Sequence, residues 1–192
     1  MKIQHFKEDK SKTITWASGT STELFIFPSS GDFQKRDFLF RLSTATVEAE
    51  ESVFSDFSGI TRTLMLLEGN LTLIHEGRYT KELMPFDQDT FDGGWDTKSK
   101  GKVKDFNLMC KAGASGTLKH FYLQKKENIT LKLRNDFNFI YVEKGEFIIG
   151  NENVIAGGIV AIYSKQLDGI RIECVGDGNL IHVEIILDNF SD

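Results

Sequence analysis

The pattern that most restricts what this chain can fold into is an internal repeat. Thr63 to Leu73 reads as a β-hairpin turning at Glu68-Gly69-Asn70, and Phe139 to Ile149 repeats it about Lys144-Gly145-Glu146. The two turn glycines stand 76 positions apart. Two other stretches recur at nearly that distance: Asp105 to Met109 against His182 to Ile186 and, more loosely, Leu83 to Phe91 against Val154 to Ile162. The period is longer than the roughly 20–50 residues of a solenoid unit and fits a small β-domain present twice.

Local patterning agrees. No segment of three turns keeps apolar residues at i, i+3, i+4 and i+7, while short apolar runs ending at glycine or asparagine abound. Strands are predicted over Thr22–Phe27, Phe38–Val47, Arg62–Leu67, Leu71–His75, Val103–Cys110, Thr117–Leu123, Ile129–Leu133, Phe137–Val142, Glu146–Ile149, Ile159–Tyr163, Ile170–Cys174 and Leu180–Leu187. The expected fold is all-β: a bicupin, two cupin-like β-barrel (jelly-roll) lobes in one compact unit over 1–192. Lobe one runs over about 1–113 and lobe two over about 114–192, because the small residues of Lys111-Ala112-Gly113-Ala114-Ser115-Gly116 interrupt two strand patterns. Each half alone is near the size where burial becomes marginal, so the sixteen phenylalanines are expected to serve a shared body.

Charge and composition exclude several functions. A net charge of −5 with lysines and acids intermixed offers no basic stripe for a phosphate backbone, so nucleic acid is not an expected partner. Lys98, Lys100, Lys102 and Lys104 read as a solvated strand edge. No apolar run reaches membrane-span length and Met1 to Thr15 lacks the apolar stretch of a leader, so a cytoplasmic protein without a membrane partner is expected. Cys110 and Cys174 sit in apolar strand patterns and read as free buried thiols. Exposed strand edges would allow a homodimer.

Candidate chemistry is sparse. The four histidines, His5, His75, His120 and His182, are scattered with no His-x-His pair, so neither a metal nor another cofactor is expected. His182 and Glu184 share a strand face that His120 could approach. No serine lies in a Gly-x-Ser-x-Gly elbow, and Gly93-Gly94 and Gly157-Gly158 read as turns, so no catalytic residue is assigned. What stands out is polar residues inside apolar strands: Arg41 and Ser43, Asp105 and Asn107, and Arg62. An arginine enclosed in a β-sandwich keeps its charge and must find an anion or several acceptors. Arg41 reads first as a permanent partner of Glu23 or Asp105. Arg62 follows Ser58-Gly59-Ile60-Thr61 at a strand mouth, where its fork could grip a ligand carboxylate. Trp16 is either a pocket wall or a core plug.

Five ordered blocks, Trp16-x-Ser18-Gly19-x-x-Thr22-Glu23, Phe40-Arg41-Leu42-Ser43-x-Ala45, Phe54-Ser55-x-Phe57-x-Gly59-x-x-Arg62, Leu67-x-Gly69 and Asp105-Phe106-Asn107-x-Met109, resemble the HutD/Ves family. That family consists of bacterial bicupins associated with histidine utilisation. The resemblance implies a metal-free bicupin without established catalysis. It would bind a small anionic intermediate of histidine breakdown, such as a formylated or formimino glutamate or urocanate, and moderate the pathway. Carried over by position, Arg62 is the main ligand arginine, with Arg41, Ser43, Glu23 and Asn107 beside it. The chain departs from the pattern at Ser18 and Thr22, where many relatives carry asparagine and arginine. Two rival readings are a metal-independent isomerase or epimerase using His182 with Glu184 or Glu23 as acid and base, and an interaction protein with a filled interior.

Overall fold

The structure is a computed structural model that describes residues 2–7, 12–133, 137–163 and 168–188. Residues 1 and 8–11 of the amino-terminal stretch, and 134–136, 164–167 and 189–192 of the expected second lobe, lie outside the described residues. Strands and turns, without an α-helix, make up what is described. In chain order the strands are β1 (Lys2–Phe6), β2 (Thr13–Trp16), β3 (Gly19–Phe27), β4 (Phe40–Val47), β5 (Glu51–Val53), β6 (Ile60–Glu68), β7 (Leu71–His75) and β8 (Tyr79–Leu83). There follow β9 (Gln88–Asp92), β10 (Thr97–Lys100), β11 (Val103–Lys111), β12 (Ala114–Leu123), β13 (Asn128–Leu133), β14 (Phe137–Ile149), β15 (Glu152–Ile155), β16 (Ile159–Tyr163) and β17 (Asp168–Leu187).

Two compact units result, one of residues 9–115 and one of 1–8 with 116–192. The first holds a six-stranded sheet, β2-β3-β4-β11-β6-β9, and a four-stranded sheet, β5-β10-β7-β8. The second holds a seven-stranded sheet in the order β1-β16-β14-β17-β12, with β13 on β17 and β15 on β14. The sequence assigned residues 2–6 to the first lobe, yet β1 pairs with β16 from Lys2 opposite Tyr163 to Phe6 opposite Ile159. A five-residue segment with polar residues at positions 2, 4 and 5 has no partner written into its own pattern.

The repeat has a specific structural form. Neither Gly69 nor Gly145 turns a hairpin: β6 and β7 lie in different sheets, and β14 runs straight through Gly145 while changing partner from β16 to β15. Both are corners, and both glycines have φ +92°. A Cβ at Gly69 would fall 2.6 Å from the Lys102 carbonyl oxygen, and one at Gly145 would fall 2.8 Å from those of Gly176 and Asp177. Only glycine fits where the neighbouring strand crosses that closely. The registers repeat as well. Leu64 faces Asn107 on β11 and Asp89 on β9, while Ile140 faces His182 on β17 and Val160 on β16. Asn107 is thus the counterpart of His182, two residues away from the alignment of Asp105 with His182 that the sequence suggested. Bulges between Lys104 and Asp105 and about Lys144 absorb the offset.

The lysine run also has a different setting from the expected strand edge. β10 lies between β5 and β7, and β11 between β4 and β6. Lys98 and Lys100 occupy the outward face of an inner strand, 2.7 Å from Glu76 and 3.1 Å from Glu51, while Thr97 and Ser99 point inward and are buried. Cys110 and Cys174 are buried and free.

The two cores differ in completeness. In the unit containing β14 and β17, Ile140, Val142, Val160, Ile162 and Leu180 belong to one continuous apolar cluster. In the unit of residues 9–115 the apolar side chains form separate clusters, one holding Val47, Leu64, Leu66 and Val103 and another Ile26, Phe38, Ile60 and Met109, and the polar residues of the same strand faces belong to neither. There the apolar filling ends and a cavity begins.

Candidate functional site

The inward side chains of β4, β11 and β6 form successive rungs. Ala45, Asp105 and Leu66 share one rung, Ser43, Asn107 and Leu64 the next, and Arg41, Met109 and Arg62 the outermost. These residues, other than Leu66, line a cavity of about 150 Å³ whose remaining wall includes Ile14, Trp16, Phe33, Phe54 and Phe57. That volume resembles engineered cavities that admit benzene, which is room for a small molecule or for the end of a longer one. Of the residues singled out from sequence, Arg41, Ser43, Arg62, Asn107 and Trp16 line the cavity. Glu23 does not, but it holds one of the arginines. Trp16 is partly buried and also packs against the apolar cluster.

The two arginines are held differently. Arg41 donates from Nε to Glu23 Oε2 at 3.0 Å and from Nη1 to Ser43 Oγ at 2.9 Å. Phe33 lies 4.0 Å from its guanidinium carbon. A register shift after Glu23 marks a bulge in β3, a device that re-aims side chains, and Glu23 itself pairs across to Ser43. Lys12 Nζ is a second cation beside Glu23, at 3.8 Å. Asp105, the alternative partner for Arg41, is bound elsewhere.

Arg62 is 8% exposed. Its guanidinium carbon lies 4.7 Å from the ring centre of Phe54, 5.4 Å from Phe91 and 5.6 Å from Phe57, an aromatic box that favours a cation. Its Nη2 donates to Asn107 Oδ1 at 3.1 Å, while its Nε is buried without a hydrogen-bond partner. Asn107 passes the contact on, donating from Nδ2 to Asp105 Oδ1. Burial brings the Arg62 guanidinium down to about 10, opposed by Asp105 and reinforced by Arg41, so it stays charged at neutral pH. Burial also lifts Asp105 to about 7, against the pull of Arg62 and the Asn107 hydrogen bond.

Sequence reasoning left Phe33, Phe54 and Phe57 out of the site and treated Asp105 only as a partner for Arg41. The signal for three of these was already in the blocks Phe54-Ser55-x-Phe57 and Asp105-Phe106-Asn107. Phe33 had none, because its loop position carries no pattern.

At the equivalent place in the other unit, Asn138 stands for Arg62 and His182 for Asn107, and His182 Nε2 lies 3.0 Å from Asn138 Oδ1. Leu180 replaces Asp105 in the register. The contact survives without its charges. Burial, followed by the charge of Lys119, brings His182 down to about 4. Among the described residues no group of three or more His, Cys, Asp or Glu is placed to hold a metal ion, and His120 bonds Asn179 at 2.9 Å. Those described donors do not converge as the ligands of a cupin-type metal centre would.

Behind Phe91 lies a polar cluster. His75, 1% exposed, places Nδ1 2.8 Å from Thr97 Oγ1 and Nε2 3.0 Å from Asp89 Oδ2. Tyr79 and Lys81 donate to the same carboxylate, and the His75 ring packs 4.7 Å from that of Phe91. The cluster backs one wall of the Arg62 box.

A curated relative, an uncharacterised 21.2 kDa protein from the hutC 3' region of Pseudomonas putida, is 37% identical over 111 residues. That match covers 56% of this chain and 57% of the relative, so it spans little more than half the length of either. A conserved protein of unknown function from Pseudomonas aeruginosa superposes with TM-score 0.79 at 18% identity, covering 96% of this chain and 99% of that one. HutD of Pseudomonas fluorescens SBW25, determined in a formate condition, superposes with TM-score 0.73 at 18% identity, covering 96% and 100%. At such identities the likeness concerns fold, which is all-β and of the cupin kind. Among the described residues no helix is long and apolar enough to cross a membrane. The HutD family model matches residues 8–181, nearly the whole chain, and the chain belongs to the HutD family.

Proposed function

We propose that the cavity of the unit formed by residues 9–115 binds a small carboxylate metabolite of histidine breakdown without transforming it, and that the protein, a bicupin, thereby moderates histidine utilisation. The observation that carries this reading is Arg62: a charged guanidinium, walled by three aromatic rings, whose buried Nε lacks an acceptor. An unsatisfied buried donor in a cavity calls for an acceptor from outside the chain, and a carboxylate is the acceptor a guanidinium fits best. Membership of the HutD family and the formate condition of the P. fluorescens structure accord with it. The apolar walls at Ile14, Trp16 and Phe54 suit the body of urocanate or of N-formyl-L-glutamate.

A thermal-shift series with urocanate, N-formyl-L-glutamate, formimino-L-glutamate and formate tests this directly, because a ligand selective for the folded state raises stability with concentration. At least one acid should stabilise the wild type. Arg62→Met should weaken that acid by about 1.5 to 3 kcal/mol. No stabilisation by any of them, or an undiminished shift in Arg62→Met, overturns the reading.

The isomerase-type alternative draws on Asp105, an acid near neutrality inside the cavity. His182 and Glu184 belong to the other unit, and Glu23 is engaged by Arg41. Turnover of a bound acid, followed by NMR in deuterated water, would favour the enzyme.

A further inference from the structure

Asp105 has no role in the carboxylate-binding reading, and its surroundings are unusual for a carboxylate. It is 3% exposed and lines the cavity on the rung between Ala45 and Leu66, both apolar. Its hydrogen-bond donor is the neutral amide of Asn107. The charged groups facing this region are few. From β6 comes Arg62, which reaches Asp105 through Asn107. From β4 comes Arg41, engaged by Glu23 of β3 and Ser43. β2 and β5 contribute Ile14, Trp16 and Val53, which carry no charge. On the far side of Phe91, Lys81, Tyr79 and His75 all close on Asp89. Lys104, next to Asp105 in β11, lies by Glu68 at 3.7 Å. The counter-charge of Asp105 is therefore Arg62, shared across an amide.

A carboxylate that pairs with Arg62 asks one buried guanidinium to serve two acids within one small cavity. Two like charges sharing a buried site do not both stay ionised. We propose that Asp105 makes uptake at this cavity proton-coupled: a ligand carboxylate that pairs with Arg62 enters together with one proton, which Asp105 holds in the complex. The inference rests on the carboxylate reading of the same cavity and adds the form in which the ligand is taken. The balance is simple: the Asp105 carboxylate gains one proton from solvent, the ligand stays an anion, and no bond in it changes. Protonated, Asp105 becomes a donor in a site otherwise supplied by Arg62. Its resting value of about 7 keeps the proton within reach at neutral pH. Below about pH 6 the apparent affinity should be flat; above it, affinity should fall with a slope approaching tenfold per pH unit.

Isothermal titration of the wild type with N-formyl-L-glutamate, ionised throughout this range, in phosphate and in Tris buffers separates proton uptake from binding. Expected are most of one proton taken up per ligand at pH 8, distinctly less at pH 6.5, and an affinity several-fold weaker at pH 8 than at pH 7. Asp105→Asn should bind with no uptake and no slope. Should that variant fail to fold, the carbon-13 carboxyl signal of Asp105 in the wild type decides, its midpoint rising by at least about one pH unit when N-formyl-L-glutamate binds. Binding without uptake at pH 8, a slope that persists in Asp105→Asn, or an unmoved carboxyl midpoint overturns the proton coupling and leaves the carboxylate site standing. If none of N-formyl-L-glutamate, formimino-L-glutamate, urocanate and formate binds, the carboxylate reading falls and the coupling falls with it.

Discussion

Replacing Arg62 with methionine keeps aliphatic bulk between Phe54, Phe57 and Phe91 while deleting the guanidinium. At pH 8 Asp105, which titrates at about 7, is mostly ionised, and the variant leaves it buried against one amide. Stranding a buried charge costs about 3 to 5 kcal/mol, offset in part because Arg62 no longer has to be desolvated. Because Asp105 can take up a proton instead, the charge-dependent part is capped at about 1.4 kcal/mol one pH unit above its midpoint, and with the lost hydrogen bond to Asn107 a net loss of about 2.5 kcal/mol is expected. At pH 5.5 Asp105 carries its proton when folded, and the loss should shrink to about 1 kcal/mol, the worth of the Arg62–Asn107 hydrogen bond. The sign follows from the folded value lying above the ordinary 3.8: between those values the native chain binds more protons than the unfolded one, so the Asp105 contribution declines as pH rises through that window. Removing Arg62 lifts the folded value further and carries the decline on to higher pH. Urea denaturation of wild type, Arg62→Met and the double variant Arg62→Met with Asp105→Asn at both pH values measures this, and the double variant should regain stability at pH 8. Equal losses at pH 5.5 and pH 8 would refute the coupling between Arg62 and Asp105. Arg41→Met is the control. Its partner Glu23 keeps 16% of its side-chain surface exposed and has Lys12 nearby, so a smaller loss, about 1 to 2 kcal/mol, with little pH dependence is expected.

Two further changes probe the scaffold. Gly69→Ala and Gly145→Ala, each at φ +92° with a strand carbonyl in the path of the new Cβ, should cost at least about 1 to 3 kcal/mol apiece in urea midpoints, and a neutral result at either would contradict the shared corner geometry. His75→Phe fits the aromatic surroundings but strips Thr97 and Asp89 of a partner, so a loss of about 2 to 3 kcal/mol is expected, and unchanged stability would show the cluster to be dispensable.

The repeat was legible because the corner glycines and their flanking apolar pairs are written locally. The long-range partners were not. β9 and β10 escaped notice because Asp89, Thr97 and Ser99 occupy inward positions, where a pattern search expects apolar residues. Each is accommodated by a specific bond: Asp89 and Thr97 to His75, and Ser99 Oγ to Ser52 Oγ at 2.8 Å. The candidate site was legible as far as the strands carry it. Arg41, Ser43, Arg62 and Asn107 stand out because a charge or amide within an apolar strand is conspicuous, and β4 and β11 bring them onto neighbouring rungs. Which acid depends on which arginine could not be read, since Glu23 and Asp105 differ in their distance from solvent rather than in their sequence setting. That difference moves the expected stability penalty from Arg41, where sequence alone would put it, toward Arg62. The aromatic lining from Phe33, Phe54 and Phe57 sits on loops, whose three-dimensional course no periodicity encodes.

The central claim, that Arg62 receives a carboxylate in this cavity, is tested most directly by crystals of the protein soaked separately in formate and in urocanate. The account predicts a carboxylate oxygen within about 3 Å of Arg62 Nε, the donor that lacks an acceptor within the chain. Electron density for the ligand in the other unit beside His182, or a cavity whose carboxylate turns away from Arg62 toward Arg41 alone, would contradict it.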